Sequence, residues 1–157
     1  MADSPLANNS DVFYNIIVMQ EPQTNFLFDR QISLVLENLP GTLAEICSTL
    51  AQKEVNILGL SISDMVDTGE LRMIVSHTNK AKRLLEARGY DVLESEVLLV
   101  EMCNKPGVLA NIAEKLAKGK VNIEYAYCAA SRKEGNVMGV LKVSDTTRAY
   151  DILSAGE

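Results

Sequence analysis

From Gln31 onward the apolar residues follow two rhythms in turn. Across Gln31–Glu37, Ile32, Leu34 and Leu36 alternate with the residues between them, the two-residue period of a strand. Asn38-Leu39-Pro40-Gly41 then stops it. Proline fixes φ and glycine relaxes the backbone just where a helix is to begin. Leu43, Ile46 and Leu50 fall at i, i+3 and i+7, one face of a helix running to about Lys53. Val55–Met65 and Glu70–Ser76 flank a turn at Asp67-Thr68-Gly69, which predicts a hairpin. A second helix is expected over Lys80–Arg88, with Leu84 and Leu85 inward and Gly89 ending it. Asp91–Glu96 reads as a last strand and runs almost unbroken into Val97–Met102.

The pattern then repeats. Asn38-Leu39-Pro40-Gly41-Thr42-Leu43-Ala44-Glu45-Ile46 returns as Asn104-Lys105-Pro106-Gly107-Val108-Leu109-Ala110-Asn111-Ile112. At the same offset Leu50-Ala51 becomes Leu116-Ala117, Val55-Asn56-Ile57 becomes Val121-Asn122-Ile123, and Gly69 becomes Gly135, so no gap is expected through the second hairpin. Each unit reads strand–helix–strand–strand–helix–strand, the split βαβ arrangement. The second stops at a helix over about Thr147–Ser154, before its fourth strand. The strand-like segment Val12–Met19 is expected to fill that place, in the second repeat's sheet or in a neighbouring chain's, because an open sheet edge is usually covered. The expected organisation is a tail over residues 1–25 holding an extra strand at 12–19, a first domain over 26–96 and a second over 97–157.

Composition narrows the function. A net charge of −6 and a pI near 4.9 are wrong for nucleic acid or an anionic membrane, which Lys and Arg must recognise. Aromatic residues are few and tryptophan is absent, which argues against base stacking. No apolar run approaches the ~20 residues of a membrane span, and the N-terminal segment lacks the basic start of a signal peptide. Cys47, Cys103 and Cys128 have no zinc-ligand spacing and read as reduced, mostly buried thiols of a cytoplasmic protein. His77 is the single histidine, placed at a hairpin end. Cys103 adjoins Asn104, but no base to activate it is visible. Glu37, Asp64, Asp67 and Glu70 sit at strand edges and a turn, where carboxylates usually just solvate. No catalytic residue, metal site or cofactor is expected.

The doubled strand-Asn-x-Pro-Gly-x-Leu-helix-Val-Asn-Ile pattern resembles the ACT domain family over roughly residues 30–157, as two copies. The resemblance implies two ferredoxin-like α+β modules forming a pseudo-dimer, with helices on one face of antiparallel sheets. It also implies amino-acid binding at a module interface, as in stand-alone regulatory ACT proteins. In serine-feedback dehydrogenases of this family, the Asn before x-Pro-Gly and the Asn of Val-Asn-Ile help hold the amino acid. The matching positions here are Asn38, Asn56, Asn104 and Asn122. Those enzymes carry a histidine two residues before the first Asn, where this chain has Leu36 and Met102. That departure argues against serine and for a more apolar wall.

Physical chemistry supports a ligand at these loops. The first N–H groups of a helix lack intrahelical partners and favour an anion, so a carboxylate could dock near Thr42, Leu43 and Ala44, and near Val108, Leu109 and Ala110. Gly41 and Gly107 permit close approach, and Leu39, Leu43 and Leu109 could supply apolar walls. Ile57 and Ile123, with Lys105, Pro40 and Pro106, complete the candidate set. The competing reading is architectural: Asn38 and Asn104 equally suit turn caps, and Asn56 and Asn122 equally suit helix-to-strand turns. The copies differ at Leu39/Lys105, Thr42/Val108, Gly59/Tyr125 and Ser61/Tyr127, so the two sites need not be equivalent.

These features predict a cytoplasmic regulatory sensor of a small amino acid, dimeric and signalling to a partner enzyme or regulator. The alternative is a ligand-free interaction or oligomerisation module. A small isomerase or lyase is the least favoured reading.

Overall fold

The computed structural model describes residues 24–155. Ten elements follow one another: β1 (Asn25–Glu37), α1 (Thr42–Ala51), β2 (Ile57–Met65), β3 (Thr68–Val75), α2 (Thr78–Glu86), β4 (Leu93–Cys103), α3 (Val108–Lys118), β5 (Ile123–Ala130), β6 (Asn136–Val143) and α4 (Thr146–Ser154). The six strands form one antiparallel sheet in the order β2-β3-β1-β4-β6-β5. The fourth strand of the first repeat and the first strand of the second are a single strand, β4, so the two expected sheets are fused.

β1 is longer than its alternation at Gln31–Glu37 suggests. Its second half pairs with β3, and Asn25–Ser33 pairs with β4 from Leu93 to Glu101. Arg30 faces Glu96, its own counterpart in the second repeat, so the pseudo-two-fold axis relating the repeats crosses this rung. Asn25–Arg30 therefore takes the fourth-strand place of the second repeat. Phe26 and Phe28 turn that segment's alternation toward the helices: Phe26 packs into the second repeat's core, and the Phe28 and Tyr150 rings lie 5.0 Å apart. The segment Val12–Met19, expected in that place, lies outside the described residues.

All four helices cover one face. Ile32, Leu34, Leu36, Leu71 and Met73 meet α1 and α2 through Ile46, Leu50, Ala81 and Leu85. Leu98, Val100, Met102 and Leu141 meet α3 and α4 through Ile112, Leu116, Ala149 and Leu153. Gly41 and Gly107 precede α1 and α3 with φ of 98° and 89°, left-handed values that any side chain would strain. α4 is capped by Asp145, whose carboxylate accepts from the Arg148 N–H at 2.9 Å.

The uniform offset between the repeats does not hold past the second hairpin. At matched rungs Asp64 faces Gly69, whereas Ala130 faces Val137, so the second connection is longer by two positions. From β6 onward the counterparts are displaced by the same two positions. Ser76 and Ser144 confirm it: each hydroxyl accepts from the Asn56 or Asn122 N–H at 3.0 Å. Gly69 lies in a strand opposite Leu36 and Gly135 in the longer turn at φ 78°, so the two are not counterparts.

The helix-free face is not left open. Register shifts at the starts of β2 and β5 mark bulges, which bend and twist edge strands. The sheet curls until the two edges touch: a Cβ on Gly59 would stand 3.0 Å from the Ala129 Cβ. A third apolar cluster fills this concave side, with Ile74 and Leu58 from the first repeat and Val97, Leu99, Met138 and Val140 from β4 and β6.

Candidate ligand cavity

The candidate residues do not converge as pairs within one repeat. The Asn38 amide donates to Asp64 Oδ1 and to the Val66 carbonyl, both at 3.2 Å, and so fastens the β2–β3 turn. Asn56 sits at the other end of β2, held against Ser76. Nine strand residues separate the two ends, about 30 Å at ~3.3 Å per residue. Asn104 and Asn122 are separated likewise by β5. The antiparallel relation of the repeats instead puts Asn56 at the end of the sheet where Asn104 lies, and Asn122 at the end where Asn38 lies.

The loops themselves are open. Leu39, Pro40, Gly41, Lys105, Pro106, Gly107 and Leu109 are exposed, while Leu43 and Val108 turn inward onto the two helix-side cores. Thr42 N–H is engaged by the Leu39 carbonyl. Ile57 and Ile123 are half-buried against the same two cores. Of the cysteines, Cys47 and Cys103 are half-buried and Cys128 is exposed, because β5 is an edge strand whose even-numbered residues point outward. His77 precedes α2, with Nδ1 2.9 Å from Ser76 Oγ. Among the described residues no group of three or more His, Cys, Asp or Glu could hold a metal.

What the sheet does build is a cavity of about 240 Å3 at the seam where β2 meets β5. Asn56 and Ile57, both candidates from the sequence, line it with Leu58 and Ile74 of the first repeat. The second repeat adds Leu99 and Glu101 from β4, Ala129 to Arg132 from the end of β5, and Met138 and Val140 from β6. Glu101 is buried, 7% exposed, and Ser131 Oγ donates to its Oε1 at 2.5 Å. An apolar lining with a few polar groups is the usual make-up of a small-molecule site, and this volume is just below the drug-sized range.

The symmetry-related end of the seam carries larger side chains. Tyr125 stands where the first repeat has Gly59, and its ring carries the Arg72 guanidinium 4.3 Å above the centroid. Arg72 also bonds Ser63 and pairs with Glu70 at 2.5 Å. Gln31, fully buried, donates to Tyr125 Oη at 2.6 Å and accepts from Tyr127 Oη at 2.9 Å. Burial and the neighbouring Tyr125 push the Tyr127 hydroxyl well above the ordinary tyrosine pKa. Most of the cavity residues were not among the sequence candidates. The signal that points to them is the substitution of one repeat against the other, at Gly59/Tyr125 and Val35/Glu101.

The fold and its motifs have relatives. The family model described as an ACT domain pair matches residues 28–156. Protein BT0572 of Bacteroides thetaiotaomicron is 31% identical, with 83% of this chain and 89% of that chain covered and a TM-score of 0.77. The regulatory subunits of aspartate kinase from Thermus thermophilus (17% identity, TM-score 0.62) and Thermus flavus (16%, 0.60) share the fold over 83% of this chain and 95% of theirs. A sequence search of curated proteins finds no match. With matched motifs in both repeats and the family model spanning nearly the whole described chain, the protein belongs to the ACT domain family as a tandem pair.

Proposed function

We propose that the protein is a regulatory sensor that binds a small amino acid where its two repeats meet. One observation carries this reading: the walls of the seam cavity come from both repeats, so a molecule inside it touches both. Occupancy favours one placement of the β2 edge against the β5 edge, and that preference is the signal a partner can read. The likeness to kinase regulatory subunits fits such a role. In this reading Asn56 and Ile57 touch the ligand and the Asn104–Leu109 loop approaches from the same end. Asn38–Leu43 and Asn122–Ile123 frame the opposite end. The partner is an enzyme or regulator in the cytoplasm, and no catalytic step is assigned to this chain. Thermal-shift measurements with the twenty amino acids, followed by calorimetry, test it. A ligand at about 100 times its Kd adds ~2.7 kcal/mol, a rise of roughly 5–10 °C in Tm. If no amino acid shifts the well-folded protein, the sensor reading fails.

A second reading has its own observation. Leu39, Met65 and Val66 are exposed and adjoin one another through the Asn38–Val66 bond, an apolar group that would suit self-association into a homodimer. Sedimentation over a range of concentrations without ligand checks it. A monomer throughout removes this reading.

A further inference from the structure

The β2–β3 and β5–β6 turns occupy equivalent places at opposite ends of the sheet, yet their surfaces are opposite in character. Around the first turn Val35, Leu39, Met65 and Val66 are each more than half exposed. Their counterparts around the second are Glu101, Lys105, Ser131 and Arg132. The neighbouring carboxylates run the other way: Glu37, Asp64 and Glu70 correspond to Cys103, Ala130 and Met138. The fold therefore requires neither the apolar group nor its acidic border. Leu39, Met65 and Val66 adjoin through the Asn38–Val66 bond. Met65 shares a rung with Thr68 and Glu37, and Val35 lies one same-face step along β1.

The backbone supports the same distinction. Val66 takes φ 69°, which a β-branched residue resists, whereas the second turn places its positive φ on Gly135. That strain gains no packing within the chain, because the Val66 side chain is 84% exposed. Asn38 on the Val66 carbonyl and Asp64 on its N–H hold the turn in this conformation. A strained residue, fixed in one conformation with its apolar side chain outward, is suited to a preorganised contact. The border sets the charge of what would cover it. Glu70 is already paired with Arg72, which leaves the exposed carboxylates Glu37, Asp64 and Asp67. A two-fold contact between copies through this group would set those carboxylates against one another, so the border favours a partner of opposite charge over a second copy.

We propose that this end of the sheet is the docking surface for a cationic amphipathic segment of a partner protein, whose apolar side covers Leu39, Met65 and Val66 while its Lys and Arg residues pair with Glu37, Asp64 and Asp67. The proposal gives the chemistry of the partner in the sensor reading and rests on that reading for its purpose alone; amino-acid binding is measured separately, and either can fail without the other. Fluorescence anisotropy on the full chain tests it with a labelled amphipathic helical peptide of leucine and lysine, and with the same peptide carrying glutamate for lysine. The lysine peptide should bind at one equivalent per chain and weaken by about tenfold or more between about 0.05 and 0.3 M salt, and the glutamate peptide should not bind. Leu39→Lys with Val66→Arg, which installs the other repeat's residues, should weaken binding by about tenfold or more. Glu37→Gln with Asp67→Asn should do likewise, whereas Glu114→Gln with Glu134→Gln, an equal loss of exposed charge elsewhere, should not. Val66→Gly should weaken binding several-fold while raising the urea midpoint, a combination that a turn with a structural role alone does not give. Equal binding of the two peptides, equal effects of the two carboxylate pairs, or a folded L39K/V66R protein that binds unchanged would each overturn the proposal. A peptide-free dimer that L39K/V66R dissociates would overturn it too, by assigning the surface to a second copy.

Discussion

Gln31 bridges the hydroxyls of Tyr125 and Tyr127, donating to one at 2.6 Å and accepting from the other at 2.9 Å, across the concave face of the sheet. Strand β1 is thereby tied to the edge strand β5, which has β6 as its ladder neighbour. Tyr127→Phe should leave the buried Gln31 carbonyl without a donor and cost about 1–3 kcal/mol. The pH dependence has a defined sign. The Tyr127 pKa is raised in the folded state, chiefly by burial, so its contribution is complete below the unfolded value of about 10 and is lost as pH rises through the folded value. The stability gap between the native protein and Y127F should stay constant from pH 7 to about 9.5 and narrow above it. A gap that widens above pH 10 in urea titrations would contradict the burial of this hydroxyl.

At Gly59 the sheet's two edges meet closely. A Cβ there would stand 3.0 Å from the Ala129 Cβ and 3.8 Å from that of Ile74. Gly59→Val should push β2 away from β5 and destabilise by about 1–3 kcal/mol through overpacking, read as a lower urea midpoint. Because the seam bounds the cavity, the same variant should weaken any ligand bound there. A stabilised protein with unchanged binding would mean that the edges do not meet at this residue.

The duplicated strands and helices were legible because their periods are strong and their stops are chemical: Pro40-Gly41 and Pro106-Gly107 mark the same corner twice. The start of β1 was harder to see. Asn25–Arg30 alternates Phe26 and Phe28 with Leu27, but its partner β4 lies far along the chain, beyond two helices and a hairpin, and alternation alone does not say which strand that is. The lengthening of the second turn was hidden because Gly69 and Gly135 happen to keep the earlier offset. The cavity was least legible. Asn56 was found by motif, whereas Glu101 sits inside an apolar run, Val97–Met102, where its side chain faces away from the helices and reads as a lone polar interruption. Curling of the sheet, not local sequence, brings Glu101 to Asn56 and Ser131.

Val66 adopts φ 69° in the tight turn between β2 and β3, a left-handed conformation that a β-branched residue resists. The turn is held by Asn38 on the Val66 carbonyl and by Asp64 Oδ1 on its N–H at 3.1 Å. At 84% exposure the side chain gains little from packing. Val66→Gly should therefore stabilise the protein by about 1 kcal/mol, with relief of strain set against the greater freedom of glycine in the unfolded chain. Asn38→Ala should cost ~1 kcal/mol by releasing the same turn. Chemical denaturation of both variants checks the pair, and a destabilised V66G would refute the strain.

Leu50 and Leu116 occupy the same position in the two repeats and both are fully buried, one beneath each helix pair. Truncating either to alanine should cost about 2–5 kcal/mol. The wider question is whether the repeats unfold separately. They share backbone in a way that independent domains cannot: β1 pairs with β3 over its second half and with β4 over its first, and β4 continues from one repeat into the other. Ile74 of the first repeat also packs with Leu99 and Val140 on the concave face. Loosening the core around Leu50 must then weaken β1, and β1 supplies the strand that completes the second repeat. L50A and L116A should each shift a single cooperative transition, with circular dichroism and tyrosine fluorescence tracing one curve. Two resolved transitions in L50A, with the later one unmoved from the native midpoint, would show that the second repeat stands without the first.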